Sequence, residues 1–185
     1  LLLSCSNETK GPDVSAILIN IDLKRFDKDF FAIDSNQTKQ GLVALAAEYP
    51  AFIPLFVGNV LGLGPITDTN QLAFDGTKRF LHLNKRIFDT AQIVFKNTDV
   101  LENELQKGFR HVKYYFPAYQ TPKTVYTVIG PMDALAPMSN QEPSPNFMGA
   151  GFLAISLQFY LGKDFSIYND AGYASSIVPQ FRSRR

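Results

Sequence analysis

The sequence holds one cysteine, so no disulfide can close within the chain, and an unpaired thiol in an exported protein needs a separate reason. Histidine is nearly as scarce. A zinc site draws on three or four converging His, Cys, Asp or Glu ligands, and His82 and His111, on separate predicted helices, read as surface side chains. Neither charge is in excess: 18 basic and 17 acidic residues leave a net charge of +1, which lacks the broad basic footprint of a nucleic-acid binder. The basic end, Arg182 to Arg185, reads as a solvated helix terminus. No apolar run is long and unbroken enough to span a bilayer as a helix. Residues 49–67 are interrupted by Pro50, Pro54, Gly58, Gly62, Gly64 and Pro65, and residues 143–162 are apolar only from about Phe147. There is no internal repeat.

What remains is ordinary globular composition, 45% apolar and 19% charged. A chain of 185 residues suits one domain that buries roughly 70% of its unfolded surface. It opens on Leu1 and stops at Arg185 within an ordinary run, and so reads as a fragment lacking residues at both ends. The position of the lone cysteine supplies its reason. Leu2, Leu3 and Ser4 directly precede Cys5, the pattern of a lipobox whose thiol receives diacylglycerol, with Leu1–Ser4 as the remnant of a signal segment. Ser6–Asp13, polar and containing Gly11 and Pro12, reads as a tether, so residues 5–13 form the lipidated anchor and 14–185 the domain. Each buried methylene of an acyl chain contributes about 0.8 kcal/mol, and several chains together make a stable membrane anchor.

Hydrophobic period predicts the elements. Ile17, Ile19, Ile21 and Leu23 alternate with Asn20, Asp22 and Lys24, which predicts a half-buried strand over 14–24, and Phe30 and Phe31 extend its pairing or turn into the core. Leu42, Leu45, Ala46 and Tyr49 recur at helical spacing until Pro50, and residues 50–65 read as a compact connection with one irregular helix over Phe52–Leu61. A helix over about 71–96 carries Phe80, Leu83, Ile87, Ala91 and Val94 on its apolar face. Another begins after Thr98, with Asp99 and Glu102 in a reciprocal capping pattern and Leu101, Leu105, Phe109, Val112 and Phe116 as its stripe; the two are expected to pack as an antiparallel pair. Residues 123–130 favour a strand, 132–148 an exposed loop, and the alternation over 152–161, bounded by Gly151 and Gly162, a third strand. Strands flanking helices predict an α+β fold, a small mixed or antiparallel sheet covered on one side by helices.

Chemistry is thinly represented. There is no Gly-x-Ser-x-Gly elbow and no phosphate-binding lysine motif, and Gly149-Ala150-Gly151 precedes a strand where a dinucleotide loop follows one. Glu102 with Glu104, and Asp22 with Asp27, read as solvated charges. No catalytic residue, metal ligand set or cofactor is expected. Aromatic residues make up 13% of the chain. Tyr114, Tyr115, Phe116 and Tyr119 cluster at a helix end, and Tyr160 and Tyr168 flank Gly162. Core packing is the plainer account of them; the sharper one is a partner-binding patch formed by Tyr114, Tyr115, Tyr119, Tyr160 and Tyr168.

A lipobox cysteine, a strand leading into Arg25-Phe26-Asp27, Asp29-Phe30-Phe31, a helix ending in Tyr49-Pro50 with Phe52 after it, and Tyr160-Leu161-Gly162-Lys163-Asp164 with Tyr168 stand in this order. Together they resemble the gliding-motility lipoprotein GldB family of Bacteroidetes over nearly the whole chain. The resemblance implies an envelope lipoprotein required for gliding, tied to the type IX secretion apparatus, non-enzymatic, and acting through protein partners. It also implies a fold distantly similar to zinc-peptidase domains, in which a strand precedes the metal-bearing helix; an envelope zinc metallopeptidase with ligands beyond Arg185 is therefore the first alternative. A glycan- or small-molecule-binding lipoprotein using the aromatic cluster near Tyr114 is the second. Residues 6–10 carry Glu8 against Lys10 and no acidic export signal, which favours a periplasm-facing position in either membrane.

Overall fold

A strand persists only where it finds a partner, and the first one here finds it late. The computed structural model describes residues 11–132, 146–162 and 164–169. Of the strand expected over 14–24, only Asp22–Lys24 forms β1. It pairs in parallel with β2, Thr124–Val128, starting with Asp22 opposite Thr124. Residues before Asp22 lie upstream of the start of β2, so their amides have no ladder to join. The alternation still sorts side chains, for Ile21 is buried while Leu18 is 93% exposed.

The third strand is trimmed for the same reason. β4, Phe152–Ser156, runs parallel to β2 as far as the pair Val128 and Ser156, after which Leu157–Phe159 winds into a 3-10 turn. The loop expected over 132–148 is corrected at its end. Residues 133–145 lie outside the described residues, but Asn146–Gly149 forms β3, antiparallel to β4. Ala150 and Gly151 make the two-residue turn between them, Gly151 at φ +79°, a conformation that L side chains rarely adopt. The strand order is β1-β2-β4-β3, a mixed sheet within the expected α+β fold.

Among the described residues five α-helices accompany the sheet: α1 (Phe26–Phe31), α2 (Thr38–Glu48), α3 (Ile53–Leu55), α4 (Gln71–Val94) and α5 (Asp99–Tyr115). α2 closes where the Tyr49 amide donates to Leu45 O at 2.7 Å, ahead of Pro50, which cannot continue it. α3 runs into a π-helical turn, Phe56–Val60, closed by the Leu61 amide on Phe56 O. Asn70 caps α4: its side-chain oxygen accepts from the Ala73 amide, and its Nδ2 donates to Leu63 O and Pro65 O.

Both faces of the sheet are covered, where one was expected. β2 and β4 are apolar in both registers, so the alternation that sends Tyr126, Val128, Phe152 and Ala154 to one core sends Val125, Leu153 and Ile155 to another. The first core is aromatic. The Phe26 ring meets Phe52, Phe56 and Tyr49 edge-on at 4.8, 5.0 and 5.1 Å, and Phe52 stacks on Tyr126 at 4.1 Å. Such pairs contribute about 0.5–1.5 kcal/mol each beyond the area they bury. α4 serves both cores, giving Ala73, Phe74 and Leu81 to the first and Ile87 and Ala91 to the second. Its buried face keeps Ile87 and Ala91 of the expected one, with Phe80 packed against both cores, but Leu83 and Val94 are exposed.

α5 departs most from expectation. No residue of it is buried, Phe116 beyond it is 65% exposed, and Thr98 makes no side-chain cap; the Asp99 amide is held instead by Asn97 Oδ1 at 2.6 Å. It does not pair with α4. Leu101, Leu105 and Phe109 reach the second core from across the outer face of β4.

Candidate functional site

Because α5 stands off the sheet, a groove remains beneath it. Its cavity is about 680 Å³, within the usual range of ligand pockets. The end of α4 closes one side with Val94 and Phe95, α5 forms the roof with Val100, Leu101, Leu105, Gly108, Phe109 and Val112, and Leu153 and Ile155 of β4 form the floor. Polar groups are confined to Asn97, Glu104, Asn146 and Tyr160, and Glu104 is the only carboxylate or basic group among these lining residues. The arrangement can bury an apolar surface, with polar groups available to orient it.

The opposite side of α5 is polar. There Gly11–Ser15, the start of the described chain, lies along Asn103, Gln106, Lys107, Arg110 and His111 and leaves a cleft of about 470 Å³. The helix is also divided along its length. Asp99, Glu102 and Glu104 fall in its first half and Lys107, Arg110 and Lys113 in its second. Lys113 Nζ donates to Pro117 O and Tyr119 O, which folds the chain after α5 into a turn.

The five tyrosines expected to form a patch are dispersed. Tyr114, Tyr115 and Tyr119 are exposed at the end of α5, by 48, 59 and 38%. Tyr160 is half-buried on the groove wall, where its hydroxyl accepts from Asn146 Nδ2 at 2.9 Å. Tyr168 is buried: its hydroxyl donates to Gln158 O and accepts from the Leu161 amide, and burial pushes its pKa up to about 12. Among the described residues Tyr168 is held inside the fold by these two bonds.

One pair read as solvated is corrected. Asp22 is exposed beside Lys24, but the Asp27 side chain is wholly buried. Arg25 Nε and Nη2 grip the Asp27 carboxylate at 2.9 and 2.8 Å, Gln92 Nε2 donates to it at 2.9 Å, and Thr127 Oγ1 donates to its other oxygen. Arg25 Nη1 also donates to Phe95 O at 2.7 Å, so one ion pair ties α1, β2 and the end of α4 together. The sequence carried a signal for this: an arginine and an aspartate two residues apart, directly after a strand, are spaced to form a local fork. Nearby, Tyr49 donates to Asp29, and burial followed by that carboxylate raises the Tyr49 pKa well above its ordinary value. Through Phe95, which also lines the groove, the Arg25–Asp27 pair braces it from behind.

His82 is exposed on α4, and His111 Nδ1 lies 2.9 Å from Lys107 O on α5. Glu102 accepts from Gln106 within α5, and Gly149-Ala150-Gly151 serves the β3–β4 turn. Among the described residues no group of three or more His, Cys, Asp or Glu side chains converges to hold a metal, and no helix is long and apolar enough to cross a membrane. Cys5, Lys163 and the Arg182–Arg185 cluster lie outside the described residues.

The family model of the gliding motility protein GldB matches residues 7–185, nearly the whole chain. Searches among curated proteins and among solved structures found no match.

Proposed function

The chain belongs to the gliding motility protein GldB family, a family of gliding-motility lipoproteins, and from that premise we propose that it is anchored by acylation of Cys5 and supports gliding non-catalytically, holding a protein partner in the groove beneath α5. On this reading the anchor holds the domain in the cell envelope, and residues 6–10, with Glu8 against Lys10 and no acidic export signal, favour the periplasmic side. The partner's chemistry follows from the lining: a single carboxylate among aliphatic and aromatic side chains favours a segment that presents a row of apolar residues, such as one face of a helix.

The groove is the observation that carries this reading, and it can be filled without unfolding the chain. A Cβ added at Gly108 meets nothing within 4 Å, and leucine is a better helix former than glycine. Gly108→Leu therefore blocks the groove while helping α5. Cells carrying Gly108→Leu at normal envelope levels should fail to spread, as should cells carrying Leu105→Glu. Metabolic labelling with fatty acid should vanish in Cys5→Ser. Normal spreading by both groove variants would end the partner-binding reading, and labelling that survives Cys5→Ser would end the anchor.

A further inference from the structure

Resting on that lipoprotein reading, we propose that the second half of α5, with the turn after it, is the face this domain lays on the bilayer, against anionic lipid headgroups.

The first support is the tether. Six residue steps separate Cys5 from Gly11 and span at most about 20 Å. Gly11 lines the same cleft as Gln106, Lys107, Arg110 and His111 of α5. Whatever holds Cys5 in a membrane thus holds this part of α5 near the membrane surface.

The second support is the side-chain chemistry at that place. Residues 106–119 contain Lys107, Arg110 and Lys113 and no acidic residue. They also expose Tyr114, Tyr115, Phe116 and Tyr119, by 48, 59, 65 and 38%. Basic side chains beside amphipathic rings are the pattern of a membrane–water interface, where ammonium and guanidinium groups meet phosphates and the rings sit at headgroup depth. Arg110 Nε, a buried donor on the tether cleft, has no hydrogen-bond partner among the described residues. Asp13 is the carboxylate of that cleft, and its Oδ1 is engaged by the Ser15 amide at 2.9 Å. Complementing the helix dipole accounts for acidic residues early in α5 and basic ones late. It does not account for four exposed rings at and just beyond the end of the basic half, or for a tether on the same face.

The groove and this face do not compete. Leu101, Leu105 and Phe109 point from α5 into the groove, while Lys107, Arg110 and His111 line the other side. A domain lying on the bilayer by the second side keeps the first open to a protein.

The chain's composition makes the test clean, since it has one cysteine and no tryptophan. Coupling a maleimide lipid to Cys5 anchors the whole chain on vesicles whatever the cell does to that thiol. Phe116→Trp is one reporter. Leu72→Trp is the control, from an exposed site beside Ala73 and Phe74, which pack on the opposite face of the sheet from α5. On phosphatidylcholine vesicles containing phosphatidylglycerol and brominated lipid, Phe116→Trp should be blue-shifted and quenched severalfold while Leu72→Trp stays bright. Adding Lys107→Glu and Arg110→Glu, omitting phosphatidylglycerol, or raising salt should each return most of the emission. An unquenched Phe116→Trp, equal quenching of the two reporters, or quenching indifferent to charge would each overturn the proposal. Because the anchor is supplied chemically, such a result counts against the contact alone, whereas loss of the anchor reading comes from the labelling experiment.

Discussion

Replacing Asp27 by alanine should destabilise the domain more than most single surface or loop changes, and the structure says why. The carboxylate is inaccessible to water, and four donors converge on it: two from Arg25, one from Gln92 and one from Thr127. The Arg25 side chain is only 15% exposed, so it cannot turn freely into solvent once its partner is gone. Removing one member of a buried pair costs about 3–5 kcal/mol, most of it from the charge left behind. For a domain of this size about 1 kcal/mol moves the melting temperature by 2–4 °C, so Asp27→Ala should lower it by about 6–20 °C. The same energy should appear in urea titrations of the Cys5→Ser chain as a lower midpoint with an unchanged slope.

The double variant Arg25→Met/Asp27→Leu sharpens the claim. It removes both charges and keeps the volume filled, so the orphaned-charge penalty disappears. The remaining losses are the bonds from Arg25 to Phe95 O and Gln92 Oε1 and the donors left on Gln92 and Thr127. Its cost should fall below that of Asp27→Ala and well below the sum for Arg25→Met and Asp27→Leu measured singly. A loss under about 1 kcal/mol for Asp27→Ala, or an additive double variant, would refute the reasoning, since contacting charges must couple.

Two further changes test the interior near β4. Tyr168 titrates near 12 in the folded chain and near 10 when unfolded, so between those values the unfolded state holds fewer protons. Stability should be fully present below about pH 10, fall as pH rises towards 12, and fall less steeply in Tyr168→Phe; an unchanged slope in alkaline urea titrations would contradict the assignment. The Gln158 carboxamide is buried, and among the described residues neither its nitrogen nor its oxygen is bonded; an unmet buried polar group costs about 1–3 kcal/mol. Gln158→Met, close in volume and apolar, should therefore raise the urea midpoint, and a lowered midpoint would mean the amide is paired.

Legibility in the sequence followed the range of the force involved. α2, β2 and α4 could be read because local signals define them: helical spacing that ends at Pro50, a β-branched run before Pro131, and a long amphipathic stretch. What failed depended on contacts far along the chain. β1 and β4 are shorter than their alternation because β2 is only five residues long, and β3 follows a polar stretch whose only local cue is the glycine turn behind it. Tyr114 and Tyr168 look alike in sequence, yet one is exposed and the other is held by Gln158 O and the Leu161 amide, which the turn at Gly162 brings to it. Charge misled most at Asp27, because an aspartate is rarely buried and, although Arg25 stands two residues away, its other partners Gln92 and Thr127 lie 65 and 100 residues away. The groove left no trace in any single segment, since it depends on how far α5 stands from β4.

The energetic division between the two halves of the molecule decides how its functional tests can be read. The first core and the Arg25–Asp27 pair hold α1, α3, β2 and the end of α4 through rings and bonds buried from water, so damage there lowers the stability of the whole domain and says nothing specific about function. α5 is different: it buries none of its 17 residues and carries Gly108 in mid-helix, and a helix of that length is marginal in water without packing. Its order rests on half-buried contacts from Leu101, Leu105 and Phe109 on one side, while its other side borders the open cleft beside residues 11–15. An element of this kind belongs to the low end of local stability, where binding surfaces are commonly drawn from. Changes at Gly108, Lys107 or Arg110 therefore alter what α5 presents while leaving the buried cores intact. A loss of spreading or of bilayer contact in those variants, with an unchanged urea midpoint, reports on the surface itself.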